Sequence, residues 1–172
     1  SQAERMVRTA VILKGEGVRV FMPFYGVDYD RLGYWGFCYN LDVDAPEGPW
    51  AARRVSPKPM VTALAACVRM LEGAQPLRRL QDLGTGVWAY VFADESRRVT
   101  VAWTPGKPRT VRVSIVKPGA RVYDIEGHPM PANASAHEVM VRVGPSPVYV
   151  VESRMSTKAH DSPRSTARST RL

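Results

Sequence analysis

Residues 57–92 read PKPMVTALAACVRMLEGAQPLRRLQDLGTGVWAYVF, and the fold turns on a change of period at Gly73. Before it, Met60, Ala63, Leu64, Cys67, Val68 and Leu71 recur at the 3–4 spacing of one buried helical face. Pro57-Lys58-Pro59 opens that helix, because proline is tolerated in a first turn, and Gly73 caps it. After Gly73 the apolar residues alternate. Val87, Ala89 and Val91 form one face of a strand, and Trp88, Tyr90 and Phe92 form the other.

The alternation continues to residue 150. Val99/Val101/Trp103, Val111/Val113/Ile115, Val122/Asp124, Val139/Val141/Val143 and Val148/Val150 supply further strands. Asp94-Glu95-Ser96, Thr104 to Pro108, Lys117-Pro118-Gly119 and Gly144-Pro145 are turns, each holding residues that set turn dihedrals. About seven short strands in about eighty residues describe a small antiparallel β-sandwich. Toward the N-terminus, Ala3, Met6, Val7, Ala10, Val11 and Lys14 form one face of a helix that Gly15 and Gly17 end. Val18 to Tyr25 follows as an apolar run suited to a parallel strand covered on both faces. A loop of roughly thirty residues comes next, far above the usual median. It carries Asp28-Tyr29-Asp30, Tyr34-Trp35-Gly36-Phe37 and Trp50. Helix–strand–helix is a piece of an α/β layer, and a lone parallel strand has no partner for its backbone groups. The expected organisation is an α/β fragment over 1–73, an all-β sandwich over 74–153 and a disordered basic tail over 154–172.

Composition bounds the function. The net charge is +8, but in the tail Arg154, Lys158, Arg164, Arg168 and Arg171 stand against Asp161 alone, so half the excess lies there. A Ser/Thr/Arg-rich tail without apolar periodicity buries too little to offset its ordering entropy. Elsewhere Arg53-Arg54, Arg78-Arg79 and Arg97-Arg98 are separate pairs that read as solvated surface, with no nucleic-acid motif beside them. No run approaches a membrane span, no signal peptide is visible, and the chain opens Ser1-Gln2-Ala3 without Met, so an upstream part is expected. Cys38 and Cys67 share no motif, and Cys67 reads as a buried small hydrophobe. Redox compartment and localisation stay open. No metal-ligand spacing, phosphate loop or nucleophile triad is present, so no metal or cofactor is expected, and His128 and His137 read as inert loop histidines.

The order helix, glycine turn, strand ending in aromatics, aromatic/Asp loop, Pro-Lys-Pro helix and β-domain resembles a known family. Its markers are Gly15-Glu16-Gly17-Val18, Phe24-Tyr25…Asp28, Gly36-Phe37, Pro57-Lys58-Pro59-Met60…Ala63-Leu64, Gly84 to Phe92 and Pro147-Val148-Tyr149-Val150. The chain resembles the C-terminal end of (β/α)8-barrel glycoside hydrolases of the large retaining clan A. It is most similar to xylosidase-, iduronidase- and cellulase-like members that append a β-sandwich. The resemblance implies that Val18–Tyr25 is barrel strand eight and that residues 3–14 are the helix after strand seven. It implies hydrolysis of O-glycosidic bonds by the parent protein. The acid/base and nucleophile glutamates, roughly 5–5.5 Å apart in retaining enzymes, would both precede Ser1. The chain would then hold no catalytic residue, with Glu4 and Glu16 as solvated surface glutamates. Tyr25, Asp28 and Trp35 would line one wall of the sugar-binding cleft, with packing of the loop onto the barrel as the alternative role. Implied partners are a carbohydrate substrate and the missing N-terminal barrel part, with no specific nucleic acid and no membrane. Asp124…Gly127 resembles the family's Asp-x-x-Gly turn and reads as structural. A non-catalytic carbohydrate-binding or structural β-sandwich domain is the alternative function.

Overall fold

The computed structural model of the chain describes residues 1–22, 26–28, 36–42 and 54–153. Tyr25, Trp35, Trp50 and the tail 154–172 lie outside the described residues. Among the described residues two helices, α1 (Gln2–Gly15) and α2 (Pro59–Leu71), precede nine strands of a mostly β structure. These are β3 (Gln75–Leu80), β4 (Trp88–Ala93), β5 (Arg97–Trp103), β6 (Arg109–Ser114), β7 (Arg121–Tyr123), β8 (Pro129–Met130), β9 (Asn133–Ala134), β10 (Glu138–Val143) and β11 (Val148–Ser153). A short pair, β1 (Cys38–Asn40) and β2 (Val55–Pro57), sits between the helices.

The strands form a six-stranded antiparallel sheet ordered β3-β4-β5-β11-β7-β8 and a three-stranded one ordered β6-β10-β9. Register explains the two faces of the larger sheet. Ala89, Ala102 and Val148 pair across β4, β5 and β11, and they pack with Val111, Val113, Val139, Val141 and Val143 of the smaller sheet. One residue along, Tyr90, Val101 and Tyr149 pair across the same strands on the opposite face. They join Val7 and Val11 of α1 and Ala63, Cys67, Met70 and Leu71 of α2 in a second core. The larger sheet is thus buried on both faces, which is why β4 and β5 are apolar at both odd and even positions. The expected strands at 87–92, 99–103, 111–115, 139–143 and 148–150 fall within three residues, at each end, of β4, β5, β6, β10 and β11.

Several expectations need correction. Val18 to Met22 forms no strand, and Val20 and Met22 are 72% and 81% exposed. No strand among the described residues lies beside it to take its backbone hydrogen bonds, so the apolar run alone does not make a ladder. The buried face of α2 is Met60, Ala63, Ala66, Cys67, Met70 and Leu71, whereas Leu64 is half-buried and Val68 is exposed. The sheet selected one side of a helix that is apolar around most of its circumference. Gly15 is the last residue of α1 rather than its breaker. A Cβ there would lie 2.3 Å from the Tyr90 ring, so its role is close packing, while Gly17 takes the left-handed turn at φ 86°. The edge strand β3 is not among the expected strands: Gln75-Pro76-Leu77-Arg78-Arg79-Leu80 has no apolar/polar alternation, and a bulge between Pro76 and Arg78 shifts its register.

Glu4 and Glu16 are not simply solvated. Ser146 Oγ donates to Glu4 Oε1 at 2.7 Å, and the Tyr90 hydroxyl donates to Glu16 Oε1 at 3.0 Å. The two carboxylates fasten opposite ends of α1 to the β layer. Burial, with the Glu16 carboxylate acting in the same direction, pushes the Tyr90 phenol up from its usual range. The paired arginines also find local partners. Arg79 lies 4.1 Å above the Trp88 ring, Arg97 binds Asp94 and the Glu72 carbonyl, and Arg54 binds Asp42. Asp124 accepts from the backbone N–H groups of Glu126 and His128, both at 2.9 Å, and shapes the β7–β8 turn as expected. His128 is not partnerless, since its Nδ1 lies 3.3 Å from Asp124 Oδ2.

Candidate functional site

Among the described residues before α2, a buried ion pair joins Asp28 to Lys58. Val27 and Cys38 form a parallel bridge, with Asp28 N–H donating to the Cys38 carbonyl at 2.9 Å and Cys38 N–H donating to that of Gly26 at 3.0 Å. The β1–β2 ladder then returns the chain alongside, and Lys58 N–H donates to the Phe37 carbonyl at 2.9 Å. That path sets Lys58 Nζ 2.6 Å from Asp28 Oδ1, with Asp28 only 5% and Lys58 4% exposed. The same Oδ1 accepts the Gly36 N–H at 2.8 Å. Gly36 allows this approach because a Cβ there would fall 2.2 Å from the Val27 carbonyl carbon. The Lys58 ammonium also lies 5.1 Å from the Tyr39 ring centroid, a cation–π distance.

Of the three residues expected to meet sugar, the structure describes Asp28 alone. Its Oδ1 is engaged by two donors inside the protein, which makes Asp28 the clamp of the loop. Sequence reasoning missed its partner, although a signal existed. Lys58 occupies the N-cap of α2, where a cation meets the positive end of the helix dipole and has no side-chain cap hydrogen bond. A cation there is unfavourably placed unless a carboxylate offsets it, and in the structure Asp28 does so.

Other reactive groups are committed to packing. Burial pushes the Cys67 thiol up to about 11, so it is not a thiolate nucleophile at neutral pH. Burial also raises the Tyr149 phenol, with the neighbouring Cys67 thiol and Asp124 carboxylate acting in the same direction. Among the described residues no group of three or more His, Cys, Asp or Glu side chains is placed to hold a metal ion.

No protein-family profile and no curated protein matches the chain. Solved structures do. A family 39 glycoside hydrolase from the gut symbiont Bacteroides cellulosilyticus WH2 superposes with a TM-score of 0.62 at 18% identity, over 87% of this chain and 30% of that one. The catalytic domain of family 30 xylanase C from Talaromyces cellulolyticus gives 0.53 at 15% identity, over 73% and 29%. The likeness is one of fold. The chain spans less than a third of the length of either neighbour.

Proposed function

We propose that this chain is the C-terminal part of a retaining glycoside hydrolase, comprising the last β/α unit of a (β/α)8 barrel and its accessory β-sandwich. The observation that carries the reading is the state of Val18 to Met22. This apolar run lies between two helices that both pack on the β layer, yet Val20 and Met22 are 72% and 81% exposed. Such a surface fits a barrel strand whose neighbours are contributed from outside the chain. The partial coverage of the two glycoside hydrolase neighbours supports the same reading.

In this reading the acid/base and nucleophile glutamates belong to the upstream barrel, and the chain alone does not cleave glycosides. Tyr25 and Trp35 offer aromatic faces to the sugar. Asp28 holds the Gly36 end of the segment that carries Trp35, so it acts through position as well as through its carboxylate. The test joins the chain to the protein segment encoded directly upstream and assays aryl glycosides. Turnover with retained anomeric configuration is expected only from the joined, folded protein. Turnover by the 172-residue chain alone, or none from the folded joined protein, would overturn the proposal.

A further inference from the structure

Between α1, α2 and the run that follows α1 lies a cavity of about 300 Å³, open to solvent. Val18, Phe21, Leu64 and Val68 give it apolar walls, and Val18 and Val68 are 43% and 56% exposed. Phe21 lines the cavity, while Val20 and Met22 stand outside it as the two most exposed large apolar side chains among the described residues. The same face therefore carries an apolar hollow and apolar projections. Charge is arranged in the same way. Lys14 and Arg19 line the cavity from the α1 side, and Glu72 lines it from the end of α2. Among the described residues none of these three makes an ion pair within the chain.

A contiguous apolar surface beside unpaired charge of both signs is the make-up of a contact with another polypeptide. That polypeptide must offer apolar projections for the hollow, a hollow for Val20 and Met22, an acidic group for Lys14 and Arg19, and a basic group for Glu72. A second copy of this chain offers all four, and a two-fold axis sets each opposite its complement at once. A uniformly acidic or basic partner would instead meet one of these charges with like sign. We propose that this face is a self-association surface on which two copies of the chain meet about a two-fold axis. Val20 and Met22 of each copy cover the cavity of the other, and Lys14 and Arg19 face the partner's Glu72. Each copy uses the same patch, so the assembly closes at the dimer. The inference does not rest on the glycoside hydrolase reading. In the joined protein of that reading the upstream barrel takes this face, and the dimer belongs to the 172-residue chain alone.

The test measures the mass of the 172-residue chain by sedimentation equilibrium over a dilution series, and a reversible monomer–dimer equilibrium is expected. Val20→Asp and Met22→Asp, at exposed positions outside both cores, keep the far-UV circular dichroism and should each weaken the dimer about tenfold or more. Arg19→Glu and Glu72→Arg should each weaken it as well, and the two changes together should recover most of the lost affinity. A monomer at every concentration, assembly beyond the dimer, a dimer that Met22→Asp leaves intact, or a double charge reversal that recovers no affinity would each overturn the proposal. The joined protein takes no part in the measurement, so its failure is distinct from failure of the glycosidase assay.

Discussion

Thr100 shows how the β layer treats a polar atom that sequence alternation passes over. It pairs with Val91 and Val150 on the face toward the smaller sheet, it is fully buried, and its hydroxyl has no partner. Thr100→Val keeps the shape and removes the desolvated hydroxyl, so denaturant unfolding should show a gain of about 1 kcal/mol. The opposite holds at the buried Asp28–Lys58 pair. Asp28→Ala removes the carboxylate that accepts from the buried Lys58 ammonium and from the Gly36 N–H, and should cost about 2–3 kcal/mol. Asp28→Ala with Lys58→Met should lose less than the two single changes added together, as a double-mutant cycle by chemical denaturation would show. Asp94 gives a pH signature. The Ser96 hydroxyl first, then the Ser96 and Arg97 backbone N–H groups and the Arg97 side chain, hold its carboxyl at about 2, against an ordinary 3.8. A depressed carboxylate stabilises fully above its unfolded value and loses that contribution as pH falls through its folded value. The native chain should therefore lose more stability than Asp94→Asn between about pH 4 and pH 2, measured as unfolding midpoints at each pH.

At the scale of the element, α2 carries apolar residues around most of its circumference, so period alone does not say which side is buried. The sheet chose Ala66 and Met70 and left Val68 at 56% exposure. Val68→Asp should change unfolding free energy by no more than about 0.5 kcal/mol, the usual range for a surface substitution. Met70→Asp should cost at least about 3 kcal/mol, because it puts an unpaired carboxylate into the core shared with Phe92 and Trp103. Equal effects at the two positions would return the buried face to the one that spacing suggests. The same contact decides α1, where Gly15 meets the Tyr90 ring and Glu4 and Glu16 reach Ser146 and Tyr90. None of those partners is within seventy residues along the chain, so no local pattern could show them.

At the scale of the whole molecule, a core crosses the boundary at Gly73. Val7 and Val11 precede it, Tyr90, Val101 and Tyr149 follow it, and all five are at or near zero exposure. Residues 74–153 expressed without the helices should expose that aromatic face and bind a hydrophobic dye strongly, with the full chain binding it weakly; equal binding would show that the helices contribute no cover. What the sequence determined by itself is the set of elements whose period repeats over several residues. The two helices and strands β4, β5, β6, β10 and β11 were legible because side-chain direction is fixed by local backbone geometry. The turn at Asp94 to Ser96 was legible because its residues bond within a few positions, while that at Asp124 to Gly127 was marked by the family resemblance and proves to bond locally as well. Only the tertiary structure decided that Val18 to Met22 forms no ladder, that Asp28 is clamped by Lys58, and that Glu152 and Arg98 face each other at a cavity wall. A ladder needs a neighbouring strand and an ion pair needs a distant side chain, and neither is encoded in the spacing of the residues that depend on it.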